Sequence, residues 1–165
     1  MIVYYLLIFL TQFGYQHNPD VSVDPRHQVM LDAVNDIRTK GCKCGRRNMR
    51  PVGKVSWNEL LYKSAFMQAK DMHKNHFIKH YSSTGKDLGE RLDLVGYPWK
   101  VAGENLGRGQ DTFDEVLEDW LKSYGHCVML MNPKVEEMAI ARVGNYWVQQ
   151  FGKQTDTVKQ AENIK

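Results

Sequence analysis

The chain has no apolar stretch long enough to cross a membrane as a helix. After Met1 its longest uninterrupted hydrophobic run, Ile2 to Leu10, is nine residues, whereas a bilayer core of about 30 Å takes about 20. Proline is scarce, at five residues, and no segment repeats, which excludes collagen-like and solenoid architectures. An excess of either charge is lacking as well. With 22 Lys+Arg against 19 Asp+Glu the net charge is only +3, less than a phosphate-binding domain concentrates, so no nucleic-acid partner is expected. There is no G-x-x-x-x-G-K-[ST] element, and Gly103, Gly107 and Gly109 read as a turn-rich loop rather than a phosphate cradle.

What is present is a globular composition. With 42% hydrophobic and 25% charged residues, 165 positions fit one domain with a sizeable core and leave little room for two. The Ile2–Leu10 run has the length of the apolar part of a secretory signal peptide, although no Lys or Arg precedes it and no small-x-small cleavage site follows. Residues 1–20 are therefore expected to be a signal peptide and short leader, which places the protein in a secreted or periplasmic compartment; a buried N-terminal strand is the alternative. The domain proper is expected over residues 24–152, and the polar, aperiodic residues 153–165 as a disordered tail.

Cys42, Cys44 and Cys127 are an odd number, so an oxidising compartment permits one disulfide and leaves one thiol. A Cys42–Cys44 bridge would close a tight, strained ring, so Cys127 is expected to pair with Cys42 or Cys44. Such a bridge closes a loop of over 80 residues, worth about 4 kcal/mol on chain-entropy grounds. Alone, the Cys-x-Cys lacks the second pair of a zinc ribbon. Around it, Lys40, Lys43, Arg46, Arg47, Arg50 and Lys54 put six positive charges and no acid into residues 40–54. A loop of this kind is either simply solvated or able to contact an anionic surface.

Asp24-Pro25 reads as a helix start, with Met30, Val34 and Ile37 on one face before Gly41. A second helix is expected from Asn58 to about His76, packed through Leu61, Ala65, Ala69 and Met72, and a shorter one from Lys86 to Val95 ends at Gly96. Thr112-Phe113-Asp114-Glu115 is a capping box that opens a helix through Trp120. Glu137–Val143 and Asn145–Phe151 around Gly144 read as a β-hairpin. Helices beside a small sheet make an α+β domain rather than an alternating βαβ fold. His73, His76 and His80 would share a helical face, but the sequence after Phe77 is a loop signature that takes His80 out of the helix. A His126–Cys127 nucleophilic pair is disfavoured, because chain neighbours seldom face each other and a disulfide would consume the thiol.

His80 in Phe77-Ile78-Lys79-His80, Glu104 in Gly103-Glu104-Asn105, Trp120 with Ser123-Tyr124-Gly125-His126-Cys127, and Tyr146-Trp147 follow one another in a telling order. Asp71-Met72 precedes them, and Arg91-Leu92, Gly96-Tyr97-Pro98-Trp99 and Asn132-Pro133 fall between them. Over about Val29 to Gly152 this set resembles the CAP superfamily of cysteine-rich secretory, antigen 5 and pathogenesis-related-one proteins, in its compact bacterial branch. The resemblance implies a three-layer α-β-α sandwich with a small antiparallel central sheet and a large cleft where His80, His126 and Glu104 converge. The family's second glutamate position is Ser123 here, which reduces the tetrad to a triad. Met129 stands where an Asn is frequent and Ala139 where a Gly is usual.

Two neutral imidazoles, His80 and His126, suit a weakly held Zn2+, with Glu104 orienting one ring or holding a water; no cofactor is required. The resemblance implies a non-enzymatic, monomeric extracellular module for a lipid, peptide or cell-wall ligand. The alternative is a metal-assisted hydrolase, a protease or cell-wall enzyme, in which His80 or His126 activates water with support from Glu104.

Overall fold

The computed structural model describes residues 24–156, so the expected leader and residues 157–165 of the expected tail lie outside it. The first helix, α1 (Pro25–Lys40), begins where Asp24 accepts a hydrogen bond from the Arg26 amide with Pro25 in the first turn, and stops at Gly41, φ 77°. Asn58 caps α2 (Glu59–Asn75) by accepting from the Leu60 and Leu61 amides, and His76 ends it in the left-handed region at φ 55°. Reciprocal capping boxes, Asp87 with Glu90 and Thr112 with Glu115, start α3 (Leu88–Val95) and α4 (Phe113–Lys122). A seven-residue helix, α5 (Tyr124–Leu130), follows directly.

Six strands complete the fold. β1 (Cys42–Cys44) and β2 (Arg47–Met49) form a small hairpin, while β3 (Ser56–Trp57), β4 (Trp99–Arg108), β5 (Glu137–Val143) and β6 (Tyr146–Gln154) build the central sheet in the order β3-β5-β6-β4. Its three long strands are antiparallel, as expected, and the short β3 adds a parallel pairing to β5. The period-two alternation of strand side chains then divides the core. Leu106, Ala141, Tyr146 and Val148 face Ala65, Ala69 and Met72 of α2, whereas Met138, Ile140, Trp147 and Phe151 face Val34 of α1, Trp120 of α4 and Leu130 of α5. The result is the α-β-α sandwich. Fully burying one such aliphatic or aromatic side chain contributes about 1.5–3 kcal/mol, so both cores are needed to hold three layers together.

Three details depart from the sequence reading. Gly103 and Gly107 lie inside strand β4 rather than in a turn-rich loop. A Cβ on Gly107 would come within 2.5 Å of Val116, so this glycine permits α4 to approach the sheet. β6 runs past the expected domain edge to Gln154, where the Thr155 amide donates to the Pro98 carbonyl and Lys100 pairs with Asp156 at 2.7 Å. The 40–54 segment is not all loop either. Gly45, φ 57°, leads a two-residue turn between β1 and β2. Behind it Arg38, fully buried, donates to the carbonyls of Gly53, Leu130 and Asn132 and clamps this segment to the end of α5.

Candidate functional site

Strand β4 is the edge of the central sheet, and each residue of Gly103-Glu104-Asn105 has a different task there. Gly103 and Asn105 face α5, and Glu104 faces α2 and α3. A Cβ on Gly103 would collide with the Met129 side chain, so the glycine lets α5 lie close against the strand. Asn105, buried, donates from Nδ2 to the His126 carbonyl at 3.1 Å and to Gln149 Oε1 at 2.9 Å. Trp120 Nε1 donates to the Leu106 carbonyl at 2.9 Å, which fixes α4 on the same strand.

Glu104 is the hub. Its side chain is 2% exposed, and its carboxylate accepts four hydrogen bonds. Oε1 takes His80 Nδ1 at 2.9 Å and Arg91 Nη2 at 3.1 Å; Oε2 takes Arg91 Nη1 at 2.9 Å and Gln150 Nε2 at 3.0 Å. Burial alone would raise the carboxyl pKa, but the bonds from His80, Arg91 and Gln150 with the Arg91 charge outweigh it and hold the group below its usual value. A carboxylate so committed has no lone pair left for a metal or for a substrate proton.

The imidazole of His80 is more than half exposed, yet the loop that carries it is tied down. Gln68 Nε2 donates to the Lys79 and Tyr81 carbonyls on either side, Arg91 Nη2 donates to the His80 carbonyl, and Asp71 accepts from Ser83. Because a carboxylate holds Nδ1, the neutral ring presents Nε2 as its acceptor. His126, on α5, is half-buried, and burial together with the nearby His80 lowers its pKa, so it is neutral at neutral pH. One imidazole nitrogen from each of His80 and His126 is a donor set that fits reversible zinc binding with open positions. Glu104 fits only as the group that orients His80. It makes no third ligand, and the only trio of potential donors within 4.8 Å of one another among the described residues is Cys42, Cys44 and Cys127.

Beside the hub lies a cleft of about 370 Å3, lined by His80, Tyr81, Asp87, Leu88, Gly89, Trp99, Ala102 and Glu104; His126 is not part of its lining. A larger cavity of about 660 Å3 sits elsewhere, between His27 and Met30 of α1, Phe113 of α4 and Ile140 of β5, and none of the three predicted site residues lines it. We take the smaller as the candidate site, because His80 and Glu104 are there. His73 and His76 take no part: His73 packs edge-on against Tyr146 and His76 caps α2. Ser123, in the second-glutamate position, joins α4 to α5 without a side-chain capping bond. Arg91 and Gln150 complete the hub; the sequence reading places Arg91-Leu92 in the family pattern without a site role and does not single out Gln150. Of the two open disulfide partners, Cys44 pairs with Cys127, and Cys42 is a free thiol whose pKa burial raises.

The sandwich, with a loop histidine bonded to an edge-strand glutamate and a second histidine on the neighbouring helix α5, defines a class of small cleft-bearing domains. The sequence pattern of the CAP cysteine-rich secretory protein family matches residues 31–151, and the chain belongs to that family. It is 34% identical over 96 residues to Uncharacterized protein YkwD of Bacillus subtilis, across 57% of this chain and 37% of that protein. The chain spans about a third of the length of the curated relatives it matches. An extracellular SCP-domain protein of Bacillus anthracis superposes with a TM-score of 0.69 at 25% identity, over 78% of this chain and 40% of that one. An outer surface protein of Borrelia burgdorferi does so at 0.67 and 20% identity, over 78% of this chain and 92% of its own; at that identity the likeness shows the fold.

Proposed function

We propose that this CAP domain acts outside the cytoplasm as a non-enzymatic binding module, and that its cleft holds a divalent metal reversibly through His80 and His126. The observation that carries the reading is the saturation of Glu104. All four of its bonds go to side chains of this chain, so it positions His80 and has no capacity left to act as a general base. Ser123 replaces the carboxylate that could have taken that role. An extracellular placement is supported by the Cys44–Cys127 bridge, which persists in oxidising compartments, and by the likeness to an extracellular Bacillus anthracis protein. The ligand class is a lipid, peptide or cell-wall component bound by a monomer, with exposed Arg46, Arg47 and Arg50 available to an anionic surface.

Calorimetric zinc titration of the chain and of His80→Ala/His126→Ala tests this. Weak binding by the wild type and none by the double variant is expected; equal binding by both removes the cleft assignment. Turnover of a peptide and peptidoglycan panel by the wild type, abolished in the double variant, would replace the binding reading with the metal-assisted hydrolase.

A further inference from the structure

The cysteine cluster is separate from the cleft and has its own geometry. Cys42 and Cys44 are two residues apart on β1 and so project to one face of the strand, where Cys127 of α5 meets them. Cys42 Sγ lies 3.7 Å from Cys127 Sγ and 3.9 Å from Cys44 Sγ. A tetrahedral ion with metal–sulfur bonds of about 2.3 Å spaces its sulfurs by about 3.8 Å. Two edges of such a ligand triangle are therefore already in place, and the third is closed by the Cys44–Cys127 bond. The nearly equal distances also set the thiol beside the S–S bond rather than along its axis. That is the wrong approach for direct thiol–disulfide exchange, and the right one for three sulfurs sharing a common centre.

Charge points the same way. Three thiolates around a divalent ion leave a net charge of about −1, and around a monovalent ion about −2. The surrounding residues 40–54 carry six positive side chains and no acid, with Lys43, Arg46 and Arg47 exposed on the hairpin itself. A basic shell of this kind favours an anionic centre.

We propose that Cys42, Cys44 and Cys127 form a redox-gated site for a thiophilic ion, Zn2+ or Cu+, open when the Cys44–Cys127 bond is reduced and closed when it forms. Reduction by an external dithiol transfers two electrons and two protons: the S–S bond breaks, two thiols form, and the dithiol leaves as its own disulfide. Metal binding then releases the three thiol protons, and three sulfur–metal bonds form. Thiolate donors select these ions over hard, oxygen-seeking ones.

The test titrates Co2+, a spectroscopic stand-in for Zn2+, into the chain before and after reduction with a phosphine, which is oxidised to its oxide as the disulfide opens. Zn2+ and, anaerobically, Cu+ follow as competitors. A sulfur-to-cobalt charge-transfer band is expected in the reduced chain only, saturating at one ion per chain and bleached by either competitor. Cys42→Ser keeps the disulfide but removes one donor, so its reduced form should bind about tenfold more weakly or worse. His80→Ala/His126→Ala should leave the band unchanged, which separates this site from the cleft. The proposal is overturned if the reduced chain shows no band, if reduced Cys42→Ser gives the same band at the same affinity as wild type, or if the oxidised chain shows an equal band. It is equally overturned if reduction abolishes the near-ultraviolet circular dichroism and added metal does not restore it.

Discussion

Glu104→Gln removes a charge while keeping the side chain's shape, and it does so at the most heavily bonded position of the site. Both members of the Glu104–Arg91 pair are buried, with side chains 2% and 4% exposed. The amide that replaces the carboxylate has one acceptor oxygen and one NH2 group. Two of the four incoming donors then face a donor, and the Arg91 guanidinium stays buried without a counter-charge. Removing one partner of a buried ion pair costs about 3–5 kcal/mol, which for a domain of this size lowers Tm by about 10 °C or more. Arg91→Met/Glu104→Leu removes both charges at once and strands the buried Gln150 amide and the His80 carbonyl that Arg91 also holds, while the exposed His80 ring can turn to water. Its cost should stay within about 2 kcal/mol. Urea unfolding followed by tryptophan fluorescence supplies both numbers. A loss below about 1 kcal/mol in Glu104→Gln, or a double variant as damaged as the sum of its single variants, would refute the argument that the carboxylate is held as an ion.

Acid should destabilise the metal-free domain in two stages. The His126 pKa is lowered on folding, so as pH falls through about 6.5 the unfolded chain takes up a proton that the folded one refuses, and stability drops. The Glu104 pKa is lowered too, so a further loss sets in as pH falls below about 4.5 towards its folded value. Urea midpoints should therefore fall between about pH 7 and about pH 3; a maximum near pH 5 would contradict the His126 shift, and no loss below about pH 4.5 would contradict the Glu104 shift. Gly152→Ala and Gly103→Ala make a contrasting pair. An alanine at Gly152 meets the Tyr97 hydroxyl, which is anchored to Glu137 at 2.6 Å, whereas one at Gly103 meets the flexible Met129 side chain. The first should cost about 2–3 kcal/mol and the second under about 1 kcal/mol; equal thermal shifts for both would refute the distinction.

Helix starts were legible because their causes are local. Asp24-Pro25, Asn58 and Thr112 cap the helices that follow them, and the four- and three-residue spacing of Ala65, Ala69 and Met72 marks the face that packs on the sheet. Strand β4 was not legible, since its glycines answer to partners distant in sequence: Met129 for Gly103 and Val116 for Gly107. His80, Glu104 and His126 could be named from their order along the chain. Arg91 and Gln150 could not, because a buried charge or amide is satisfied across the fold, 13 and 46 residues from Glu104, and periodicity carries no trace of such a pairing. The choice of Cys44 over Cys42 was equally hidden. Both cysteines point to the same side of β1, so sequence gives no reason to prefer either.

One short helix joins the cleft to the cysteine cluster. At seven residues α5 is far too short to be stable alone, so its position depends on what it is fastened to. Cys127 is bonded to Cys44, the His126 carbonyl accepts from Asn105, and the Leu130 carbonyl accepts from the buried Arg38. Three tethers along one and a half turns leave the His126 backbone little freedom, while Gln68 and Arg91 hold the backbone of His80 from the opposite layer. The two imidazoles are thus presented by segments held in place by the fold itself, an arrangement that would lower the entropic cost of the metal binding proposed above. It also follows that the disulfide's contribution to the cleft runs through α5. Opening the bridge releases one tether of three, so a chain reduced but held by Asn105 and Arg38 should keep His126 in place.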